Sequence, residues 1–329
     1  MTAGLCLSVS CMQTRRESGE IVSGEVWCDT DGNAINAHGG GILHHEGTYY
    51  WYGEYKGDST WRLDWVTSWE CWRADAGGVS CYSSKNLTDW KFEGIVLPAE
   101  PDNPASDLHP SQVIERPKVI YNGKTGRFVM WMHIESPDYE KAHAGVAVCD
   151  TPTGTFTYLG SGRPNGGDSR DQTLFRDDDG RAYHIYSSEW NKTLYIGLLN
   201  EDYTAHTGIY TRNFVNESRE APAVFKRNGK YYMLTSGCTG WEPNQAIYAV
   251  SDSMLGVWTA AGNPCAGEGA DSTFLAQSTF VFPVAGKHDA YIAMFDRWNK
   301  TRLIDSRYVW LPVQFKGDRI EIRRKARFF

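Results

Sequence analysis

The amino-acid sequence predicts an all-β protein folded as one five-bladed β-propeller, and three observations support this. Short apolar runs broken by turn residues recur along the chain, in place of the spacing typical of helices. The chain contains 13 Trp, 18 Tyr and 13 Phe among its 329 residues, and aromatic residues favour strands. A unit of two hairpins recurs roughly every 50 residues, as in propeller blades.

Each repeated unit begins with two strand-like runs that flank a turn signal such as Glu-Gly, Asn-Gly or Asp-Gly. In chain order, these first hairpins cover residues 39–54, 115–135, 170–189, 220–237 and 277–298. A second hairpin usually follows, as at 145–160 and 246–260. Two hairpins supply the four strands of one blade. The first unit is longer because an insertion separates its hairpins, and this insertion contains Trp61, Trp65, Trp69 and Trp72.

Composition and charge indicate a soluble globular protein, with 41% hydrophobic residues, 22% charged residues and a net charge of −7. The one cationic cluster lies at residues 323–327 and is interpreted as a solvated terminal strand, so no nucleic-acid partner is expected. No run of about 18 apolar residues predicts a transmembrane helix. No linker divides the repeated units, and we expect a single-domain monomer.

The N-terminal segment, residues 1–21, is interpreted as the remnant of a secretory signal followed by a linker, with Cys11 as a possible lipid anchor. The propeller is then expected to span residues 22–329. This interpretation predicts a secreted or periplasmic protein, or a lipoprotein of the outer surface. The partner implied by the aromatic composition is an oligosaccharide or polysaccharide.

Apart from Cys6 and Cys11 of the N-terminal segment, six cysteines remain, and their spacings match no zinc-binding pattern. They are Cys28, Cys71, Cys81, Cys149, Cys238 and Cys265. Cys71 and Cys81 could form a disulfide in an oxidising compartment, or both could be buried free thiols. The sequence leaves these two alternatives open.

Four polar residues occupy equivalent positions in the repeat, each next to the apolar run expected to form the first strand of its blade. They are Glu115, Asp171, Glu220 and Gln277, spaced 56, 49 and 57 residues apart. First strands line the central channel of a propeller, so these side chains should converge. When carboxylates are crowded together, their negative charges raise the pKa of one of them above that of the others. General acid catalysis requires such a difference, because one carboxyl group must stay protonated while another is ionised. We therefore predict an active site here, rather than four solvated strand ends.

Several motifs together resemble family 43 of the glycoside hydrolases, and most closely its exo-β-1,3-galactanases and related galactosidases. The motifs are AHGGGIL (37–43), ERPKVIYN (115–122), SRD (169–171), REAPAVFK (219–226) and QSTFV (277–281). The resemblance implies a five-bladed propeller that releases galactose from the end of β-1,3-galactan with inversion. It implies that Glu220 protonates the glycosidic oxygen, and that Asp171 orients Glu220 and raises its pKa.

Most of the family places an aspartate base on the first blade, whereas this chain has His38 and no aspartate in that motif. Galactanase-like members share the departure, and the resemblance implies that Gln277 acts as the base through its imidic-acid form. Because a neutral amide is a poor base, its plainer role is to hydrogen-bond the attacking water. Glu115 then binds sugar hydroxyls or serves as the base. Inversion requires the two groups to be about 6.5–9.5 Å apart, which we expect from non-neighbouring inner strands.

Five further residues are predicted to contact substrate: Glu54, His38, Tyr139, Thr239 and Trp241. Glu54 ends a strand and could accept hydrogen bonds from sugar hydroxyls, and Trp241 could stack on a sugar ring or belong to the core. The acidic run 177–179 before Gly180 resembles a calcium loop but lacks its remaining ligands. No metal or other cofactor is therefore expected.

Two kinds of alternative function remain open. The same fold could act as a β-galactofuranosidase, an α-L-arabinofuranosidase or a β-xylosidase, although the missing first-blade aspartate disfavours the last two. A propeller that binds sugar without cleaving it is the other alternative. The presence of both Glu220 and Asp171 favours an enzyme.

Overall fold

The computed structural model describes residues 19–329, in which five sheets form the blades of a propeller; four are antiparallel and the fifth contains one parallel pair. The predicted fold is confirmed. Each blade is built from strands that follow one another along the chain, so its pairing is local apart from one parallel pair in the fifth blade. Among the described residues, no helix is long and apolar enough to cross a membrane.

The first three blades each contain four strands. Blade I consists of β2 (His38–His45), β3 (Thr48–Arg62), β4 (Trp72–Ser84) and β5 (Lys91–Pro98). Blade II consists of β6 (Val113–Asn122), β7 (Arg127–Glu135), β8 (His143–Cys149) and β9 (Thr157–Gly162). Blade III consists of β10 (Gln172–Arg176), β11 (Ala182–Ser188), β12 (Thr193–Leu199) and β13 (His206–Asn213).

The last two blades complete the ring. Blade IV consists of β14 (Arg219–Arg227), β15 (Lys230–Gly237), β16 (Ile247–Ser251) and β17 (Thr259–Gly262). Blade V has five strands, β18 (Cys265–Ala266), β19 (Gln277–Pro283), β20 (Tyr291–Arg297), β21 (Arg307–Lys316) and β22 (Arg319–Arg323). Short 3₁₀ helices cover Pro164–Gly166, Ala270–Leu275 and Leu303–Asp305.

The burial of the strands explains their sequence patterns. The inner strands β2, β6, β10, β14 and β19 contact one another in a ring around the axis, and their centres are almost wholly buried. Outer strands such as β13 and β17 are largely exposed, and most of their residues are polar or small. Apolar clusters fill the space between neighbouring blades, as where Phe225 of blade IV joins Phe295 of blade V.

Contacts between the two ends of the described chain close the ring. Strand β1 (Ile21–Val22) pairs with β23 (Arg327–Phe328) in a two-stranded sheet. Trp51 of blade I and Trp310 of blade V pack together with Trp27 and Trp90 in one buried cluster. The fold therefore depends on contacts between residues nearly 300 positions apart as well as on local hairpins.

Most of the segment interpreted as a signal remnant, including Cys11, lies outside the described residues. Ile21, at its predicted end, is buried and pairs with Phe328. Cys71 and Cys81 are buried free thiols. Cys71 directly precedes β4 and Cys81 lies ten residues further along the same chain segment, a separation of about 30 Å in an extended strand. A disulfide between them is excluded because its Cα atoms must lie within about 7 Å.

Candidate active site

Loops from all five blades enclose one cavity of about 870 Å³ at the axis of the propeller. In every blade the loop between the second and third strands, counted outward from the axis, contributes a wall residue. These residues are Trp69, Tyr139, Trp190, Trp241 and Trp298, in blade order. The Trp-rich insertion of blade I forms one wall through residues 65–70.

The four polar residues at equivalent repeat positions all line this cavity, as the sequence predicts. Glu115 is the third residue of β6 and Glu220 the second of β14, while Asp171 directly precedes β10 and Gln277 begins β19. Four strands from four blades therefore begin at one end of the channel.

An irregularity in strand pairing orients several of these side chains. The register shifts just after His38 in β2, after Glu115 in β6 and after Glu220 in β14. The next residue has a positive φ in all three strands, at Gly39, Arg116 and Ala221. Glycine is required at position 39, because a Cβ there would lie 2.0 Å from Oε1 of Glu54. Bulges of this kind redirect a side chain and are common beside active sites.

Glu220 has the electrostatic environment of a general acid. Burial, followed by the negative charge of Asp171, raises the pKa of Glu220 to about 8. Its carboxylate oxygens accept hydrogen bonds from Gln277 Nε2 at 2.9 Å and Asn191 Nδ2 at 3.4 Å. A carboxyl group with this pKa is mostly protonated at neutral pH, so it can donate a proton to a substrate oxygen.

Arg116 links the two predicted partners of Glu220. Its guanidinium lies 3.0 Å from Asp171 Oδ2 and donates to Oε1 of Gln277. A second guanidinium nitrogen donates to the Ser278 carbonyl at 2.8 Å. The buried side chain of Arg116 therefore fixes the relative positions of β6, β10 and β19 around the acid.

All the hydrogen-bonding groups of the Gln277 amide have partners. Oε1 accepts from Arg116 and from Trp298 Nε1 at 2.9 Å, and Nε2 donates to Glu220 and to Ser236 Oγ at 3.0 Å. Because an imidic acid carries a proton on that oxygen, the two donors facing Oε1 favour the ordinary amide.

The expected separation between Gln277 and the acid is not present. Their side chains are in hydrogen-bond contact at 2.9 Å, because β19 and β14 are the inner strands of neighbouring blades. Glu115 lies on blade II, which is not a neighbour of blade IV. The blade order therefore favours Glu115 over Gln277 as the group that acts on the side of the glycosidic bond opposite to the acid.

Glu115 is held in its ionised form. Burial alone would raise its pKa, but the hydrogen bond from His133 and the positive charge of Lys56 outweigh burial and lower the pKa to about 2. Tyr139 also donates its hydroxyl to Glu115 Oε1 at 2.7 Å. Burial opposes the charge on His133, yet its contacts with Glu115 and Glu135 raise the pKa of His133 to about 9.

Glu115, His133 and Asp171 are close enough to be tested as a metal site, with potential ligand atoms within 4.8 Å of one another. Their chemistry does not fit one. Both ring nitrogens of His133 face carboxylates, at 3.4 Å and 3.3 Å, so the protonated ring has no lone pair to offer. Asp171 already pairs with Arg116.

The acidic hairpin of blade III is likewise committed to cations. Asp177 and Asp178 contact Lys226 Nζ at 2.6 Å and 2.9 Å. Asp179 pairs with Arg181 at 2.7 Å. These contacts support the interpretation of residues 177–179 as a charged turn rather than a calcium loop.

Three of the predicted substrate-contact residues lie in the cavity wall. Tyr139 packs its ring edge-on against Trp69, and Trp241 lies perpendicular to Trp298 with ring centroids 5.5 Å apart. The Thr239 hydroxyl donates to the Glu242 carbonyl at 2.6 Å. All three side chains are placed where a bound sugar could reach them.

The other two predicted contacts have different positions. Glu54 borders the cavity but is only 2% exposed, and its oxygens contact Lys56 Nζ at 2.6 Å and the Arg116 N–H at 2.9 Å. It therefore organises the floor of the cavity. The expectation that His38 contacts substrate is not met, because its ring is fully buried and stacks on Tyr308. Burial, with the charge of Lys56, lowers the pKa of His38 to about 3, so the ring is neutral.

Several residues that line the cavity have no role predicted from the sequence. They are Trp65, Trp69, Arg116, His133, Arg170, Trp190, Asn191, Cys238 and Trp298. Two signals could have indicated some of them. The Trp-rich insertion interrupts the repeat, and Arg116 lies inside the motif ERPKVIYN (115–122).

Comparison with known proteins gives concordant results. A structure of a family 43 β-1,3-galactosidase with galactodeoxynojirimycin is 44% identical, with a TM-score of 0.87 over 94% of this chain and 99% of that chain. An exo-β-1,3-galactanase from Clostridium thermocellum is 41% identical, with a TM-score of 0.83 over 94% of this chain and 66% of that one. An exo-β-1,3-galactanase from Phanerochaete chrysosporium is 35% identical, with a TM-score of 0.82 over 94% of this chain and 67% of that one.

A more distant relative is named β-D-galactofuranosidase, from Aspergillus niger. It is 29% identical over 160 residues, and the match covers 46% of this chain and 46% of that protein. The family model described as glycosyl hydrolases family 43 matches residues 37–273. The chain belongs to family 43 of the glycoside hydrolases.

Proposed function

We propose that this enzyme removes single galactose units from the end of β-1,3-galactan, with inversion at the anomeric carbon. The observation that carries the proposal is Glu220, whose pKa is raised to about 8 beside Asp171 in the axial cavity. Similarity to β-1,3-galactosidases and exo-β-1,3-galactanases at 35–44% identity supports galactose as the sugar. A cavity walled by loops of all five blades suits the end of a chain better than its middle.

In the proposed reaction, protonated Glu220 transfers its proton to the glycosidic oxygen as the bond from that oxygen to the anomeric carbon breaks. A water molecule attacks the opposite face of the same carbon and loses a proton to a base, giving the α-anomer of galactose. Blade order and charge favour Glu115 as that base, since it is ionised and lies on blade II, which does not adjoin blade IV of the acid. Gln277 orients the acid through its 2.9 Å hydrogen bond.

The deciding experiment incubates purified enzyme with β-1,3-galactotriose and follows the products by proton NMR. Release of one galactose at a time, initially as the α-anomer, is the expected result. Initial release of the β-anomer would contradict inversion. Galactobiose as the first product released from longer oligosaccharides would contradict the removal of single units.

Replacement of the proposed acid should abolish most of the activity. For Glu220→Gln we expect kcat on galactotriose to fall at least about a hundredfold, the lower range for loss of a general acid. The amide keeps the size of the side chain but has no transferable proton at neutral pH. Wild-type turnover in this variant, measured in the same assay, would remove Glu220 from the mechanism.

β-Galactofuranosidase is the second candidate, supported by the Aspergillus niger relative. The same fold and the same acid could serve either ring form of galactose. A galactofuranoside placed beside galactotriose in the NMR assay separates the two functions. Cleavage of the furanoside alone would retain Glu220 and replace the proposed substrate.

We also propose that the protein acts outside the cytoplasm as a monomer. The apolar N-terminal segment that ends at Cys11 supports export, and a polysaccharide substrate is too large to cross a membrane unaided. Cell fractionation followed by size-exclusion chromatography tests both statements. Recovery of the protein in the cytoplasmic fraction would contradict export, and elution as a stable dimer would contradict the monomer.

A further inference from the structure

Trp190 is an exposed aromatic residue in the wall of the active-site cavity, and the proposed reaction steps assign it no role. Its side chain is 60% exposed. The guanidinium of Arg170 lies 4.7 Å from the ring centroid and covers part of the indole. Arg170 is itself buried and donates to Glu135 Oε1 at 2.9 Å and to the Tyr139 carbonyl at 2.8 Å. The indole therefore has a fixed support on one side and an accessible surface.

The backbone around Trp190 is strained. Glu189, Trp190 and Asn191 have φ values of 54°, 59° and 60°, in the left-handed region that non-glycine residues rarely adopt. Such strain costs free energy and persists only where the surroundings enforce it, most often at functional sites.

One partly buried carboxylate, that of Asp168, enforces this conformation. Asp168 accepts the N–H groups of Glu189 at 2.6 Å and Trp190 at 2.9 Å. The Glu189 side chain accepts hydrogen bonds from Thr193 at 2.6 Å and Tyr195 at 2.9 Å. The turn consequently presents the indole in one orientation, which lowers the entropic cost of binding a ligand to it.

The position of the turn relative to Glu220 indicates which part of the substrate it meets. Asn191, the next residue, donates from Nδ2 to Glu220 Oε2 at 3.4 Å. A general acid must contact the glycosidic oxygen, and the departing part of the substrate is bonded to that oxygen. A sugar bonded to that oxygen therefore lies near the turn that carries Trp190, which lines the same cavity.

We propose that Trp190 is the stacking platform for the first sugar of the departing chain and that it determines the preference for a galactosyl leaving group. The C–H groups on one face of a galactose ring are apolar and can cover the exposed face of an indole. Contact in the transition state would increase kcat/KM for oligosaccharides. This inference rests on the proposed galactanase function.

The test compares two substrates that share a galactose but differ in the leaving group. β-1,3-Galactobiose has a departing sugar ring, whereas β-galactosyl fluoride releases only fluoride. For Trp190→Ala we expect kcat/KM on galactobiose to fall at least about tenfold, and kcat/KM on the fluoride to stay within about twofold of wild type. Trp190→Phe keeps a flat ring, so its kcat/KM on galactobiose should fall less than that of the alanine variant.

Leu159→Ala is the matched control, since Leu159 is an exposed apolar residue of β9 that does not line the cavity. It should leave both rates unchanged. Equal losses on both substrates in Trp190→Ala would show a general disturbance of the galactose site and overturn the inference. An unchanged rate on galactobiose would also overturn it. If the wild type cleaves neither substrate, the proposed function itself fails.

Discussion

The groups that surround the Glu220 carboxyl have opposite effects on its pKa. Burial and the charge of Asp171 raise its pKa, whereas Cys238, Arg116 and the Gln277 amide favour the ionised form. The raising effects dominate, and the pKa is about 8. Replacing a residue that raises this pKa and replacing one that lowers it should therefore shift the pH profile of activity in opposite directions.

Asp171→Asn removes the negative charge that raises the pKa of Glu220. Because the reaction needs protonated Glu220, we expect the alkaline limb of the kcat/KM profile to move to lower pH, by about half a unit or more. The profile is measured on galactotriose between pH 5 and 10. Asp178→Asn, which alters an exposed carboxylate of the blade III hairpin, should leave the limb in place. A shift of Asp171→Asn to higher pH would contradict this account.

Gln277→Ala removes a hydrogen bond that favours ionised Glu220, so the same limb should move to higher pH. We also expect kcat to fall more than KM rises, because the carboxyl loses the donor that orients it. Gln245→Ala, at an exposed residue that contacts Asp271, is the control. A change in KM alone would make Gln277 a binding residue. A loss of about a hundredfold in kcat with no movement of the limb would assign it to water activation.

The element that most distinguishes blade I is the insertion between β3 and β4. Lys300 Nζ contacts Glu70 of this insertion at 2.5 Å and Glu242 of the blade IV loop at 2.6 Å. It thereby joins two walls of the cavity. Exposed ion pairs of this kind are each worth up to about 1 kcal/mol, so their effect on activity should be measurable but moderate.

For Lys300→Met we expect KM on galactotriose to rise about two- to fivefold, with kcat little changed, because the free insertion binds substrate less well. Salt should raise KM of the wild type and affect the variant less, since it screens the ion pairs. Lys316→Met, which breaks a pair with Glu321 on β22, is the control. An unchanged KM would show that the insertion holds its position without Lys300.

The whole molecule depends on the seam between blade I and blade V. Trp310 is fully buried there and its ring centroid lies 5.0 Å from that of Trp51 and 4.9 Å from that of Trp27. These residues come from opposite ends of the described chain. Their contacts, together with the pairing of β1 and β23, hold the ring closed.

Trp310→Ala should lower the free energy of unfolding by about 3–5 kcal/mol, because it leaves a cavity in the seam. Trp65→Ala removes the same side chain where it is 70% exposed, and it should change stability by less than about 0.5 kcal/mol. Chemical denaturation of both variants measures the difference. Equal stability losses would show that the seam does not limit the stability of the propeller.

The sequence by itself determined the number of blades and the residues that meet at the axis. Apart from the parallel pair of β18 and β22, each blade pairs strands that are neighbours in the chain, so alternation and turn residues predict it locally. Glu115, Asp171, Glu220 and Gln277 could be identified because a repeat places equivalent positions around one channel. The identity of the acid came from the motif around Glu220.

Only the tertiary structure decided which way the side chains point and which of them touch. The bulge at Gly39 and the contacts of His38 with Tyr308 remove this histidine from the cavity. The order of the blades brings Gln277 against Glu220. Trp190 owes its exposure to a strained turn. These features arise from contacts between distant parts of the chain, and a local pattern of apolar and polar residues does not encode them.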